Sequence, residues 1–126
     1  MIVGTGIDII KNSRIEQIKT KYENRFLQKI YTENELEYCL AKTDYINSLA
    51  ARFAAKEAVF KALGTGLRNN SWQEVEIIND QLGKPTVKLT GKTADYAASL
   101  EVEKIFLSIS HEKNYSIAQI ILEGGN

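Results

Sequence analysis

The longest helical stretch that the sequence predicts, Asp44 to Leu63, carries a carboxylate on its apolar side. At about 100° per residue, Ile46, Leu49, Ala50, Phe53, Phe60 and Gly64 gather on one side of this helix, with Glu57 among them. A helix with so wide an apolar face must pack against a second layer, so it frames whatever the rest of the chain builds. A carboxylate on a buried face is costly unless a cation, a metal or hydrogen-bond donors meet it. Lys61 follows one turn later on the same side. An i,i+4 Glu–Lys pair on a solvated face is the ordinary meaning of that spacing. The flanking aromatics, Phe53 and Phe60, argue against a solvated face and for a site.

The chain is 126 residues long, enough to build one domain around a core without disulfides or a structural metal. Its formal net charge is zero, so no global field draws it to nucleic acid or to a membrane, and any basic surface must be local. The single Cys39 excludes an internal disulfide and suits a reducing compartment. Standing between Leu36 and Leu40, it reads as a packed thiol and not a nucleophile. No apolar run is long enough to span a bilayer, and the first ten residues lack the basic start of a signal peptide. The expectation is a cytoplasmic protein whose residues 1–126 form one domain.

The elements alternate little. Ile2–Ile10 predicts a strand, and Arg14 to about Tyr22 a short amphipathic helix. Thr32 and Glu35 have capping-box spacing and should open a helix running to about Lys42. Gly64-Thr65-Gly66 stops the long helix. The second half is mainly strand: Glu74–Ile78, then turns at Asn79-Asp80 and Gly83-Lys84-Pro85, then Thr86–Leu89. Thr90 can cap a helix from Gly91 to about Leu100, and Ile105–Ser110 with Ser116–Leu122 reads as a hairpin. This order predicts an α+β fold, a mainly antiparallel sheet packed against the long helix.

Asp8 is a second misplaced carboxylate. Strand alternation puts Ile2, Gly4, Gly6, Asp8 and Ile10 on one face and Val3, Thr5, Ile7 and Ile9 on the other, and neither face reads as solvated. Glycines weaken a strand, so Gly4 and Gly6 suggest that something approaches that face closely, with Asp8 beside the cleared space. The plainer alternative is an Asp at a strand end that caps the turn at Asn12-Ser13. Two carboxylates on packed elements, with a lysine one turn from one of them, form a recurrent arrangement for a hard cation. Magnesium is commonly held by one or two carboxylates together with substrate phosphates, and Lys61 supplies a point charge for such a phosphate.

Other motifs are weaker. Gly64-Thr65-Gly66 follows a helix instead of opening one, so a P-loop is excluded and a helix cap is the plainer reading. His111, the only histidine, sits at a hairpin, where such a residue is ordinarily on the surface, and it has no companions for a zinc site. Adjacent Ser110 and His111 on one strand point to opposite faces, which makes a Ser-His-Asp triad poor. Arg14, Lys19, Lys21, Arg25 and Lys29 could together form a local basic surface for an acidic protein partner. Arg52 falls on the side of the long helix opposite Glu57.

Gly6-Ile7-Asp8-Ile9, Arg14, and Arg52-Phe53-Ala54-Ala55-Lys56-Glu57-Ala58 with Lys61-Ala62 resemble the bacterial holo-acyl-carrier-protein synthases, the short 4'-phosphopantetheinyl transferases. Gly64-Thr65-Gly66-Leu67, Gly83-Lys84-Pro85 and Ser108-Ile109-Ser110-His111 extend the match in the same order over nearly the whole chain. The resemblance implies transfer of phosphopantetheine from coenzyme A to a serine of an apo-acyl carrier protein, a step of fatty acid biosynthesis that releases adenosine 3',5'-bisphosphate. It implies that Asp8 and Glu57 hold Mg2+ against the coenzyme A diphosphate and that Lys61 neutralises that diphosphate. Gly64, Thr65, Gly66, Gly83, Lys84, Pro85 and His111 would help seat the nucleotide end. Arg14 and Arg52 would face the carrier.

Longer relatives with two fused repeats carry an acid two residues after the first Asp, where this chain has Ile10. That departure fits the short class, whose members assemble as trimers with active sites shared between neighbours. Glu101-Val102 and Phe106-Leu107 replace a glycine and a histidine found in other relatives. Two other readings keep the same residues: another Mg2+-dependent enzyme acting on a nucleotide diphosphate, and a non-catalytic module that binds coenzyme A or a carrier. The intact set of Asp8, Glu57 and Lys61 speaks against the module, which has no need of all three.

Overall fold

The structure is a computed structural model that describes residues 1–65 and 71–125. Strand β1 (Ile2–Lys11) leads into four helices: α1 (Asn12–Tyr22), α2 (Asn24–Ile30), α3 (Glu33–Leu40) and the long α4 (Tyr45–Leu63). A 3-10 turn (Trp72–Glu74), β2 (Val75–Asn79), β3 (Pro85–Leu89), α5 (Gly91–Ser99), β4 (Val102–His111) and β5 (Tyr115–Gly124) complete the chain. One antiparallel sheet has three strands in the order β1-β5-β4, and β2 and β3 form a separate antiparallel hairpin. The expected α+β architecture is therefore present, with the antiparallel strands divided between two sheets. Helix α2 was not foreseen: seven residues are too few to show a helical period, and Glu23, at φ 54°, separates it from α1.

The capping box of Thr32 and Glu35 opens α3 as expected, with the Thr32 hydroxyl accepting from the Glu35 N–H and the Glu35 carboxylate from the Thr32 N–H. Helix α4 stops at Gly64, whose left-handed φ of 77° costs glycine nothing. The Gly64 N–H is donated to the carbonyls of Phe60 and Lys61.

The two strand glycines explain how α4 sits. On β1, Gly6 and Ile10 are buried while Thr5, Ile7 and Ile9 face outward, as the alternation requires. A methyl group on Gly6 would overlap the Ala58 carbonyl and lie 2.8 Å from the Ala62 nitrogen; one on Gly4 would overlap the Ala62 carbonyl. What approaches the cleared face is thus the backbone of α4 itself, carried in on the small side chains of Ala58 and Ala62.

Two expectations about packing are corrected. Helix α4 is buried almost all round, not along one stripe, because β1 and β5, β2 and the neighbouring helices all cover it. Glu57 is only half-buried, and the fully buried charge is Lys56. Lys56 pairs with Glu35 at 2.7 Å, both side chains fully enclosed, and donates to the carbonyls of Trp72 and Val75. Burial holds the Lys56 ammonium below the ordinary lysine value, and Glu35 partly offsets this. The second correction concerns β1, whose outer face is open: Ile7 is 57% and Ile9 62% exposed.

Candidate active site

The backbone contact between β1 and α4 brings together three residues singled out in the sequence. The Lys61 ammonium donates to the Asp8 carboxylate at 2.9 Å and to the Ile7 carbonyl at 3.0 Å. Glu57 stands one turn before Lys61. Burial raises its carboxyl above the ordinary glutamate value, the negative charge of Asp8 raises it further, and Lys61 and Arg14 offset part of the rise. Arg14, exposed in the first turn of α1, thus stands within electrostatic reach of the same carboxylate. The result is an acidic pair met by Lys61 and Arg14 at one edge of the three-stranded sheet.

Among the described residues no group of three metal-binding side chains converges. The donor set at this edge is two carboxylates. That suits Mg2+, which keeps several waters and takes its remaining oxygens from a substrate diphosphate.

A second cleft, of about 260 Å³, lies beside β4 at the other edge of the same sheet. Tyr38, Lys42, Arg52, Asn79, Pro85 and His111 line it. Arg52 is 5% exposed; its guanidinium lies 4.3 Å from the Tyr38 ring centre and donates to the Asn79 side chain. The Arg52 Nε is buried without a hydrogen-bond partner among the described residues. The Lys42 ammonium is 4.7 Å from the Tyr38 ring centre.

Arg52 therefore does not share an outward surface with Arg14, contrary to the expectation for a carrier-facing pair: the reach of its side chain is taken up under Tyr38 of α3. Pro85 and His111 do line one cleft, whereas Gly83 and Lys84 belong to the turn beside it. There Asp80 accepts from the Lys84 N–H and Asn79 donates to the Gly83 carbonyl. The Gly64 N–H is used in capping α4, Thr65 has an interaction of its own, and Gly66 lies outside the described residues.

A third feature had no single-residue signal. Phe26, Phe53 and Trp72 wall an apolar groove of about 480 Å³ whose rim carries Arg25 and Lys29. Phe53 and Trp72 stack at 5.0 Å between ring centres. The buried Lys56 could have been found, since it stands seven residues from both Leu49 and Leu63 and so shares their side of the helix. Among the described residues no helix is long and apolar enough to cross a membrane.

Residues 4–120 match the family model of the 4'-phosphopantetheinyl transferase superfamily. The chain is 49% identical over 124 residues to the holo-[acyl-carrier-protein] synthase of Geotalea daltonii, covering 98% of this chain and 99% of that protein. The holo-[acyl-carrier-protein] synthase of Neisseria meningitidis superimposes with a TM-score of 0.91 at 35% identity, covering 98% of this chain and 99% of the other. That of Bacillus anthracis, solved in complex with CoA (3',5'-ADP), gives a TM-score of 0.81 at 39% identity, covering 99% of each chain. With the matched fold, the family model over residues 4–120 and 49% identity across nearly the full length, the chain belongs to the holo-[acyl-carrier-protein] synthases of the 4'-phosphopantetheinyl transferase superfamily.

Proposed function

We propose that this chain transfers 4'-phosphopantetheine from coenzyme A to a serine of an apo-acyl carrier protein. The serine oxygen forms a bond to the phosphorus next to pantetheine, the bond to the bridging diphosphate oxygen breaks, and adenosine 3',5'-bisphosphate leaves. The observation that carries this reading is the acidic edge, where Glu57 is held protonated more readily than an ordinary glutamate beside an Asp8 gripped by Lys61. Such an edge is poised for a divalent cation and a diphosphate together. Asp8 and Glu57 would hold Mg2+, which when bound supplies Lewis-acid polarisation of the phosphoryl oxygens. Lys61 neutralises charge on the diphosphate as the bond breaks, and the Asp8–Glu57 pair takes the serine proton.

The nucleotide end occupies the cleft of Arg52, Lys42 and His111, where the positive charges of Arg52 and Lys42 suit a phosphate. This assigns Arg52 to coenzyme A and not to the carrier. The carrier lies against Arg14 and the groove of Phe26, Phe53 and Trp72, whose rim charges Arg25 and Lys29 complement an acidic partner.

The metal edge and the nucleotide cleft lie at opposite edges of the β1-β5-β4 sheet. A complete site is then assembled from two copies in a homotrimer, the metal edge from one and the cleft from its neighbour. The outer sheet face supports this, with Ile7, Ile9 and Phe106 all exposed. Sedimentation of the purified protein tests the trimer. The transfer itself is tested by intact-mass measurement of an apo-carrier incubated with the protein, coenzyme A and Mg2+. The carrier gains one phosphopantetheine group, and an unchanged mass would sink the reading.

A further inference from the structure

We propose that Asn12 is a positioning residue for His111. Asn12 is the first residue of α1, 3% exposed, and among the described residues every hydrogen bond its side chain makes is to the hairpin that follows His111. Its Nδ2 donates to the Glu112 carbonyl at 3.0 Å and to the Lys113 carbonyl at 3.2 Å. Its Oδ1 accepts from the Ser116 hydroxyl at 2.7 Å, and its backbone N–H donates to the Asn114 carbonyl at 2.7 Å. Ser116 is the residue of β5 paired with His111 across the β4–β5 ladder. One amide therefore grips the two residues that follow His111 in the chain and the residue opposite it.

A hairpin tip exposed to solvent has no packing of its own to fix its last strand residue. Here the backbone loop is closed by Glu112, whose N–H donates to the Tyr115 carbonyl and whose carboxylate accepts from the Asn114 and Tyr115 N–H groups. Those bonds shape the tip but do not attach it to the body of the protein. The β1–β5 ladder, as far as Lys11–Tyr115, and the Asn12 N–H hold the β5 side of the hairpin. The Asn12 side chain extends that attachment across the turn to Glu112 and Lys113, using both amide donors and the acceptor, and so fixes where the His111 imidazole enters the cleft lined by Arg52 and Pro85.

This rests on the reading above that His111 belongs to the nucleotide seat. Asn12→Asp tests it, because the shape is kept while two carbonyls lose their donor and face an acceptor instead. Ser116 can still donate to the new carboxylate. His111 is the only histidine, so its imidazole gives one assignable set of NMR cross-peaks in the protein without substrate. We expect Asn12→Asp to move or broaden those peaks, and Ser116→Ala, which removes one bond only, to move them less in the same direction. With coenzyme A and carrier, Asn12→Asp should raise the KM for coenzyme A about tenfold, about 1.4 kcal/mol, with a smaller change in kcat. In a His111→Ala background the same substitution should add little, because the two residues act as one unit.

Unmoved imidazole peaks in both variants overturn the proposal, as does an equal rise in KM with and without His111. A wild-type chain that transfers nothing would instead defeat the transferase reading, and the imidazole peaks would still decide the role of Asn12.

Discussion

A methyl group added to Gly6 would overlap the carbonyl oxygen of Ala58, so β1 and α4 touch through backbone. This contact sets the distance between Asp8, two residues further along the strand, and Glu57, the residue before Ala58. Gly6→Ala must push the helix away, because the atom it strikes is main chain. Overpacking of a core typically costs about 1–3 kcal/mol, and urea denaturation should show a loss at the upper end of that range. Turnover should fall further than stability alone explains, since Asp8 and Glu57 separate. A Gly6→Ala protein with wild-type turnover would show that the spacing is not set here.

Glu57→Gln should stabilise the metal-free protein at neutral pH. A carboxyl whose folded value is raised favours the folded state at low pH, and that advantage is lost as pH rises through the raised value. At neutral pH the wild type therefore bears the cost of a charged, half-buried Glu57 next to Asp8, and Gln removes it. The expected gain is about 1–3 °C in Tm. By the same sign, protons compete with Mg2+ at this edge from a higher pH than at an ordinary carboxylate pair. Titration of Mg2+ against pH should show affinity falling as the solution is acidified, and a drop in Tm for Glu57→Gln would contradict the charge balance.

Lys56→Met should be severe without touching substrate. It leaves Glu35 as an unpaired buried carboxylate and removes a donor from the Trp72 and Val75 carbonyls. Breaking a buried pair in this way costs about 3–5 kcal/mol. Glu35→Gln should cost less, because an amide oxygen can still accept from the Thr32 or Ile77 N–H. The denaturation midpoints of the two variants give the order, and the reverse order would refute the pair as the organiser of α3 against α4.

Arg14→Ala should raise the KM for the carrier about fivefold at low salt, with a smaller effect at high salt, where exposed charges are screened. The KM for coenzyme A should stay near wild type. An equal rise for both substrates would move Arg14 into the nucleotide seat.

The long helix, the capping box at Thr32 and the late hairpin were legible because each has a local signature: apolar period, cap spacing, β-rich runs around a turn. Gly4 and Gly6 were legible as marks of a close approach, but not what approached, because that needs the partner element. The apolar stripe drew attention to Glu57 and away from Lys56, yet Lys56 is the charge that burial encloses completely. A single apolar stripe misleads when a helix is covered from several sides; here the seven-residue spacing of Leu49, Lys56 and Leu63 marks a second buried side. Arg52 illustrates a second limit. Its cleft is built by Tyr38, Pro85 and His111 from three other elements, and no local pattern announces that convergence. Asn12 is a third case, since its partners lie about a hundred positions away.

The central claim is that the edge formed by Asp8, Glu57 and Lys61 carries out phosphopantetheine transfer. The most direct test takes the intact mass of an apo-acyl carrier protein after incubation with coenzyme A, Mg2+ and either the wild type or Asp8→Asn, with circular dichroism to confirm that both are folded. The account predicts that the carrier gains one phosphopantetheine group with the wild type and none on the same time scale with Asp8→Asn. Conversion by Asp8→Asn at the wild-type rate would contradict it.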